Sequence, residues 1–192
     1  MKDKRQIVLL LSIIIVVVSG CIFSQPGDYS STSPSQSFTP TNSSWVPAYV
    51  TRVVDGDTAW VRFSNGTEEK VRFLGVDTPE TEEERNRPYE YGNITDLRCL
   101  KVWGLRAKQF TKDAIEHKNV YLVFDPISPR RGYYGRLLAY VYLTNGTDFT
   151  AELIKRGYAR VYVEGTFEKK EEYLRYQQEA MENGLGLWGA CG

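Results

Sequence analysis

The chain has 192 residues, of which 42% are hydrophobic and 25% are charged, and this balance excludes a multi-span membrane protein and a wholly disordered chain. Three cysteines and one histidine argue against a structural zinc site, which needs four such ligands. The formal net charge is zero, so a generally basic nucleic-acid-binding protein is not indicated, and any affinity for phosphate must come from a local site.

The first residues have the pattern of an export signal. Residues 2–5 are mostly basic, residues 7–18 are apolar except for Ser12, and the sequence through Ser19-Gly20-Cys21 resembles a bacterial-type lipobox. We expect residues 1–21 to be a signal peptide, with Cys21 lipidated as the first residue of the mature protein. An uncleaved membrane anchor and simple secretion are the alternatives. All three place the rest of the chain outside the cytoplasm, and the first two tether it to the cell surface.

Residues 22–44 are rich in Ser, Thr and Pro. Such a composition offers little apolar surface to bury, so a disordered linker is predicted. Sequons for N-glycosylation begin at Asn42, Asn65, Asn93 and Asn145. They either carry glycans in an exported protein or, at Asn65 and Asn145, simply form Asn-Gly turns.

The folded domain is predicted to span residues 45–192. Residues 46–54, 58–63 and 69–76 are β-rich and are joined by Asp-Gly and Asn-Gly turns, which predicts a three-stranded meander. A polar run follows, and then apolar residues spaced at intervals of three and four over residues 100–114 predict an amphipathic helix.

Two more strands are predicted at residues 119–124 and 136–143, a short helix at 148–156, a β-like segment at 159–163 and a helix at 167–182. Five strands with intervening helices predict an α+β domain, namely a small twisted β-barrel with helices packed against it.

Oxygen donors follow two of the predicted strands. Asp57 closes the first turn, and Asp77 and Thr78 follow the third strand. If the turns meet, the two carboxylates and the Thr78 carbonyl suit a hard cation such as Ca²⁺. The alternative is structural, because Asp55-Gly56 is a typical hairpin turn and residues 77–80 have the pattern of a helix start.

Two arginines and a further carboxylate lie beside these donors. Arg72 is on the third strand and Arg136 begins the fifth, and arginine matches phosphate oxygens with paired hydrogen bonds. Glu80 is placed to activate a water molecule. Together these groups suit hydrolysis of a phosphodiester bond, although both arginines are also compatible with ordinary surface strand positions.

Three ordered motifs carry a family resemblance. Residues 53–58 (VVDGDT), 71–80 (VRFLGVDTPE) and 134–141 (YGRLLAYV), followed by 151–161 (AELIKRGYARV) and 186–188 (GLW), resemble the thermonuclease, or staphylococcal-nuclease-like, family. The resemblance covers about residues 46–190. It implies a five-stranded OB-fold barrel with three packed helices.

The resemblance also implies an activity and a set of site residues. The activity is calcium-dependent endonucleolytic cleavage of DNA and RNA that leaves 3′-phosphate and 5′-hydroxyl ends, with single-stranded or loosened nucleic acid as substrate. The implied roles are Ca²⁺ binding by Asp57, Asp77 and Thr78, catalysis by Arg72, Glu80 and Arg136, phosphate contact by Tyr134 and base stacking by Tyr162. Around Tyr162 the match is loose, and a half-buried barrel tyrosine is the alternative.

Other classes of function are a non-catalytic OB-fold nucleic-acid-binding module and an envelope interaction module. The complete set of acids and arginines favours the enzyme over both. No protein partner is implied, and a monomer is expected. Arg130 and Arg131 are expected to add a local positive patch beside Tyr134 and Arg136.

Two features depart from the family pattern or add to it. Residues 85–93 lengthen the segment after Glu80 and form either a flap over the site or a surface loop. Cys99 and Cys191 are two cysteines in a domain expected to be exported, which predicts a disulfide, with two buried free thiols as the alternative.

Overall fold

The computed structural model describes residues 45–192. The predicted signal peptide (residues 1–21), the lipidation at Cys21, the linker (residues 22–44) and the sequon at Asn42 lie outside the described residues. Between residues 45 and 192, no helix has the length and hydrophobicity that crossing a membrane requires.

A closed barrel is the centre of the described chain. The strands are β1 (Trp45–Asp55), β2 (Thr58–Phe63), β3 (Glu68–Phe73), β4 (Val76–Asp77), β5 (Asn119–Val123), β6 (Leu137–Leu143) and β7 (Arg160–Val161). The barrel contains β1, β2, β3, β6 and β5 in that order, while β4 and β7 form a separate two-stranded sheet. All barrel pairs are antiparallel except β3 with β6, which is parallel.

The helices are α1 (Leu97–Ile115), α2 (Phe149–Lys155), α3 (Lys170–Glu182) and the short α4 (Leu187–Cys191), with a 3₁₀ turn at Glu83–Arg85. The five-stranded barrel and the three longer helices confirm the predicted α+β OB-fold class. Alternating residues of the strands fill the barrel: Val50, Val61, Val71 and Ala139 are at most 1% exposed. Burial of this apolar face is what stabilises strands whose other face is polar.

The third predicted strand is shorter than expected. It ends at Phe73, because Leu74 and Gly75 form a turn and the chain resumes as β4. Gly75 has a φ of 83°, and a Cβ there would come within 2.6 Å of the Phe167 ring. The turn carries Asp77 out of the barrel and into the small sheet with β7.

The helix start predicted at residues 77–80 is wrong. Residues 78–80 have no helical structure, and the 3₁₀ turn begins only at Glu83. The Asp77 and Thr78 side chains are engaged in contacts with Arg72 and Asp57 instead of capping a helix. The last long helix also starts later than predicted, at Lys170, because Phe167 is packed in the core.

The segment after Glu80 is more than a surface loop. Tyr91 and Ile94 are 2% and 3% exposed and pack with Leu100 of α1 and Leu187 of α4 in a second, smaller core. The disulfide between Cys99 and Cys191, with Cα atoms 5.7 Å apart, joins the same two helices. In the chain-entropy model, a loop of this length stabilises the fold by about 4 kcal/mol.

Candidate active site

Asp57 connects the first hairpin to the end of β4. It is 5% exposed, and its Oδ2 accepts hydrogen bonds from the Thr78 backbone N–H (2.9 Å) and hydroxyl (3.2 Å). Its Oδ1 accepts a hydrogen bond from the Thr58 hydroxyl at 2.9 Å. A buried carboxylate requires such partners. The turns that carry Asp57 and Asp77, which are 20 residues apart in the sequence, are therefore in contact through the hydrogen bonds of Asp57.

Arg72 joins the two predicted metal-binding aspartates. It projects from β3, where it lies opposite Thr58 of β2, and its side chain is 15% exposed. One guanidinium nitrogen forms an ion pair with Asp57, and Nη2 lies 2.5 Å from Asp77 Oδ1. Both carboxylates thus lie within the span of a single guanidinium group.

A second arginine holds Asp77 from the opposite side. Arg160 of β7 lies opposite Asp77 of β4 in the small sheet, and its Nη2 is 2.9 Å from Asp77 Oδ2. Arg160 is 9% exposed and also forms ion pairs with Glu90 and Glu164. We call Asp57, Asp77, Arg72 and Arg160 the acidic centre. With Asp55 and Glu90 beside them, the carboxylates of this region outnumber its guanidinium groups.

The pKa values of Asp57 and of the adjacent Asp55 are shifted in opposite directions. Burial opposes ionisation of Asp57, but the charge of Arg72 and the N–H of Thr78 outweigh burial and lower its pKa. Burial and the nearby charge of Asp57 raise the pKa of Asp55 from 3.8 to about 7. Burial is the larger of these two causes, and the adjacent negative charge of Asp57 adds to it.

Glu80 has an exposed side chain on a fixed backbone. Its carboxylate is 40% exposed and lies 3.5 Å from the guanidinium of Arg85. Its backbone N–H donates to Asn86 Oδ1 and its carbonyl accepts from Asn86 Nδ2, both at 3.0 Å. Asn86 is 4% exposed and also donates to the carbonyl of Glu82. One buried amide therefore sets the position of Glu80.

Helix α1 packs closely against the same loop. A Cβ on Gly104 would lie 2.4 Å from the carbonyl oxygen of Pro79 and 2.5 Å from that of Glu80. Only a residue without a side chain allows the backbone at Glu80 to pack this closely on the helix.

Arg136 follows a loop that the side chain of Arg131 holds in place. Arg131 donates to both carboxylate oxygens of Glu69, at 2.7 and 3.1 Å, and to the Gly135 carbonyl at 2.7 Å. The Arg136 guanidinium lies 5.6 Å from the centre of the Tyr134 ring, and within residues 45–192 it has no ion pair or side-chain hydrogen bond. It is therefore free to bind an anion.

The expected positive patch at Arg130 and Arg131 is reduced to one unpaired charge. Arg131 is neutralised by Glu69, as described above, whereas Arg130 packs over the ring of Phe124 and keeps its charge. Among the described residues, Arg130 and Arg136 are therefore the arginines of this loop without an acidic partner.

Two cavities meet at Arg72, Tyr134 and Arg136. The first, of about 700 Å³, also contains Asp57, Asp77, Thr78 and Glu80, and so brings together the predicted metal and catalytic residues. We call it the acidic cavity. The second, of about 460 Å³, is mainly apolar and also contains Tyr162. Tyr134 is 78% exposed and Tyr162 is 42% exposed. The interpretation of Tyr162 as a half-buried barrel tyrosine is wrong, since it follows β7 outside the barrel.

The donors at the acidic centre fit a hard cation in chemical type. Asp57, Asp77 and the Thr78 carbonyl supply only oxygen, and Ca²⁺ is bound by carboxylates, carbonyls and water. Among residues 45–192, no group of three or more Asp, Glu, His or Cys side chains is arranged to hold a metal ion. Two carboxylates, one carbonyl and water are thus the available set, and the contact of both carboxylates with one guanidinium shows that they converge.

Sequence reasoning missed several residues of the site. Arg160 and Asn86 are buried in it, and Lys70, Arg85 and Arg87 line the acidic cavity. The two strands that place Arg160 beside Asp77 have two residues each, which is too short for a periodic signal. Asn86 lies in a polar run that gives no indication of burial.

Comparison with known proteins gives a consistent set of similarities. Residues 70–190 match the family model described as staphylococcal nuclease homologue. An uncharacterised protein of Methanocaldococcus jannaschii is 40% identical, over 97% of this chain and 96% of the relative. The thermonuclease of Staphylococcus intermedius is 32% identical over 98% of this chain and 99% of its own length. Endonuclease YncB of Bacillus subtilis is 36% identical over 73% of this chain and 61% of the relative.

Proposed function

The chain belongs to the staphylococcal nuclease homologue family, and on that premise we propose that it is an extracytoplasmic, calcium-dependent endonuclease. The family makes the chain a nuclease, a hydrolase of phosphodiester bonds. The proposal adds the cation, the products and the place of action. The products are 3′-phosphate and 5′-hydroxyl ends from DNA and RNA, and the strand is single-stranded or loosened.

One observation carries the proposal: the acidic cavity contains the complete set of groups that the reaction needs. Its lining includes Arg72 and Arg136, the partly exposed side chain of Glu80, and the carboxylates of Asp57 and Asp77. A non-catalytic binding module would have no use for a water-activating acid beside two arginines. The envelope interaction module is disfavoured for the same reason.

The residues of this chain support a hydrolytic mechanism. Glu80 takes a proton from the attacking water, whose oxygen forms a bond to phosphorus as the bond to the 5′ oxygen breaks. Arg72 and Arg136 donate hydrogen bonds to the phosphate oxygens, on which negative charge grows in the transition state. The 5′ oxygen departs and takes up a proton, and the phosphate stays on the 3′ end.

The cation would be held by the carboxylates of Asp57 and Asp77 and the carbonyl of Thr78. When bound, Ca²⁺ supplies additional positive charge beside the phosphate. Arg160 keeps Asp77 oriented from the side of β7. This role accounts for the excess of carboxylates around the acidic centre, because a bound cation would balance it.

The place of action rests on the N-terminal pattern. We propose that the nuclease domain acts outside the cytoplasm as a monomer, tethered through lipid on Cys21 or through an uncleaved anchor. Growth of cells with labelled palmitate would test the lipid. Label that persists after Cys21→Ala would contradict lipidation at this residue.

The decisive experiment measures acid-soluble nucleotide released from heat-denatured DNA by the domain from residue 44 onward, with Ca²⁺ and with excess EGTA. We expect release only with Ca²⁺, and 3′-phosphate ends on the products. Glu80→Gln removes the water-activating carboxylate and should lower kcat by about 10²- to 10⁴-fold.

Glu82→Gln is the matched control, because Glu82 is exposed in the same segment and does not line the acidic cavity. It should cleave like the wild type. Full activity of Glu80→Gln would remove Glu80 from the mechanism. Equal cleavage in EGTA would refute the calcium dependence, and no cleavage by a folded, calcium-bound domain would refute the enzyme itself.

A further inference from the structure

Three cations that line the acidic cavity have no acidic partner. Within residues 45–192, Lys70, Arg87 and Arg136 form no ion pair and no side-chain hydrogen bond. The other two cations of the cavity are engaged, since Arg72 contacts Asp57 and Asp77 and Arg85 contacts Glu80. Lysine and arginine are equal in number to aspartate and glutamate in this chain. A group of unpaired cations around an acidic centre therefore indicates a place for anions.

Two of the unpaired cations border different neighbouring cavities. Arg136 borders the apolar cavity that contains Tyr134 and Tyr162. Arg87 borders a different, polar cavity of about 200 Å³, which shares Asp77, Thr78, Glu80 and Arg85 with the acidic cavity. The apolar and the polar cavities have no residue in common. The acidic cavity thus adjoins two separate cavities, one with Tyr134, Tyr162 and Arg136 and the other with Arg87.

The segment that carries Arg87 is rigid at both ends. Its neighbour Asn86 is buried and hydrogen-bonded to the backbone of Glu80 and Glu82. On the other side, the Tyr89 N–H donates to the carbonyl of Ile94 at 2.9 Å, and Tyr91 and Ile94 are buried in the smaller core. The backbone at Arg87 is consequently held in place before a ligand arrives, which lowers the entropy lost on binding.

We propose that Arg87 binds a backbone phosphate of the nucleic-acid strand next to the scissile phosphate, on the side of the acidic centre away from Tyr134 and Arg136. The inference rests on the proposed nuclease function and deepens it. The lengthened segment after Glu80 then has a defined purpose: it extends the strand-binding path past the point of cleavage. An exposed guanidinium with no protein partner suits such a contact, because it binds phosphate without first breaking an ion pair.

The test uses Arg87→Ala and, as matched control, Arg98→Ala, which removes an exposed arginine of α1 that does not line the acidic cavity. The substrate is a short DNA oligonucleotide, and cleavage of its central bond is followed by mass spectrometry. Two further versions replace the adjacent phosphate on the 5′ or the 3′ side by an uncharged methylphosphonate.

We expect Arg87→Ala to lower kcat/KM on the all-phosphate oligonucleotide about tenfold, mainly through KM, because one charge-assisted contact is lost. The wild type should cleave one of the two methylphosphonate substrates less efficiently than the all-phosphate oligonucleotide, by a similar factor. On that substrate, Arg87→Ala should cleave as efficiently as the wild type. Arg98→Ala should match the wild type throughout. Arg87→Lys, which keeps the charge but not the planar fork, should recover part of the loss.

Equal losses from Arg87→Ala on all three oligonucleotides, or no loss at all, would overturn the proposal. Binding in the Glu80→Gln background gives a readout that does not depend on cleavage. There the slope of log K against log salt for single-stranded DNA should fall by about 0.7 in Arg87→Ala. If the wild type does not cleave, the proposed function fails, and an unchanged slope would then separately refute the role of Arg87.

Discussion

Two buried polar clusters of this domain contain ionised carboxylates, and they are built in different ways. In the acidic centre, Asp57 and Asp77 share Arg72. In the second cluster, Asp125, which follows β5, has no cationic partner among residues 45–192. It accepts hydrogen bonds from the Tyr140 hydroxyl and from the backbone N–H groups of residues 127, 128 and 168.

The second cluster is satisfied by the protein itself. Burial opposes ionisation of Asp125, but its four hydrogen bonds outweigh burial and lower its pKa. Beside the acidic centre, Asp55 has its pKa raised to about 7, and within the centre Nε of Arg160 is buried without a hydrogen bond in the described part of the chain.

The difference separates a structural cluster from a functional one. Fully paired polar groups stabilise and fix a fold, whereas charge and hydrogen-bonding capacity left over at a cavity are available to a ligand. Substitutions in the two clusters should therefore change different properties: activity at the acidic cavity and stability at Asp125.

The largest effect is expected at Arg136. Arg136→Ala removes a guanidinium that the protein does not use for its own pairing, so transition-state stabilisation is lost and kcat should fall by about a thousandfold. The free energy of unfolding should change by no more than about 0.5 kcal/mol. Cleavage kinetics and urea unfolding of the same preparation measure both quantities.

The control is Arg52→Ala, which removes an exposed arginine of β1 that lies outside the acidic cavity. It should leave both quantities unchanged. A large loss of stability in Arg136→Ala with near-normal kcat would contradict the comparison, because Arg136 would then be structural.

Asp125→Asn should have the opposite profile. The amide nitrogen of asparagine cannot accept the hydrogen bond from the N–H of residue 168, so a partly buried donor loses its partner. The free energy of unfolding at neutral pH should fall by about 2–3 kcal/mol. Cleavage by the folded fraction should be unaffected. A normal unfolding curve with impaired cleavage would place Asp125 in the functional site.

The effect of Asp125→Asn should depend on pH in a defined direction. The pKa of Asp125 in the folded state lies below its ordinary value of 3.8. Its ionisation therefore contributes stability that is fully present above 3.8 and is lost as the pH falls through the folded-state pKa. The difference in unfolding free energy between wild type and Asp125→Asn should shrink below pH 4 in urea titrations, and a constant difference would contradict this origin.

The sequence predicts the local features of this molecule well. The predicted turns form where the sequence places them, because turn preferences act over a few residues, and in the two Asn-Gly turns Gly66 and Gly146 have the positive φ that such turns favour. The motifs at residues 53–58 and 71–80 likewise carry Asp57, Asp77 and Glu80 into one cavity. The turns themselves need no knowledge of distant contacts, whereas the shared cavity depends on the hydrogen bonds between Asp57 and Thr78, 21 positions apart.

Features that depend on tertiary contacts were not predictable. Arg160 reaches Asp77 because two very short strands pair, although the two residues are 83 positions apart in the chain. Tyr91 and Ile94 are isolated apolar residues in a polar run, and their burial depends on Leu187 near the other end of the domain. Asn86 and Arg87 are adjacent, yet one is buried and the other exposed, a difference that no local pattern encodes.

The smallest expected effect comes from removing a single oxygen atom from the structural cluster around Asp125. Tyr140 is 2% exposed, packs edge-on against Tyr173 and donates its hydroxyl hydrogen to Asp125. Tyr140→Phe keeps the ring and removes one of the four hydrogen bonds to the carboxylate. The free energy of unfolding should fall by about 1–1.5 kcal/mol, and the pKa of Asp125 should rise, which an NMR titration of its carboxyl carbon would detect.

Tyr121→Phe is the matched control for this oxygen. Tyr121 is half-buried beside Trp45, and its hydroxyl has no hydrogen-bond partner among the described residues. Its loss should change the free energy of unfolding by less than about 0.5 kcal/mol. Equal changes in the free energy of unfolding would mean that the hydrogen bond from Tyr140 to Asp125 contributes no stability beyond that of the aromatic ring. The distinction between a cluster satisfied for stability and one left open for a ligand would then no longer hold.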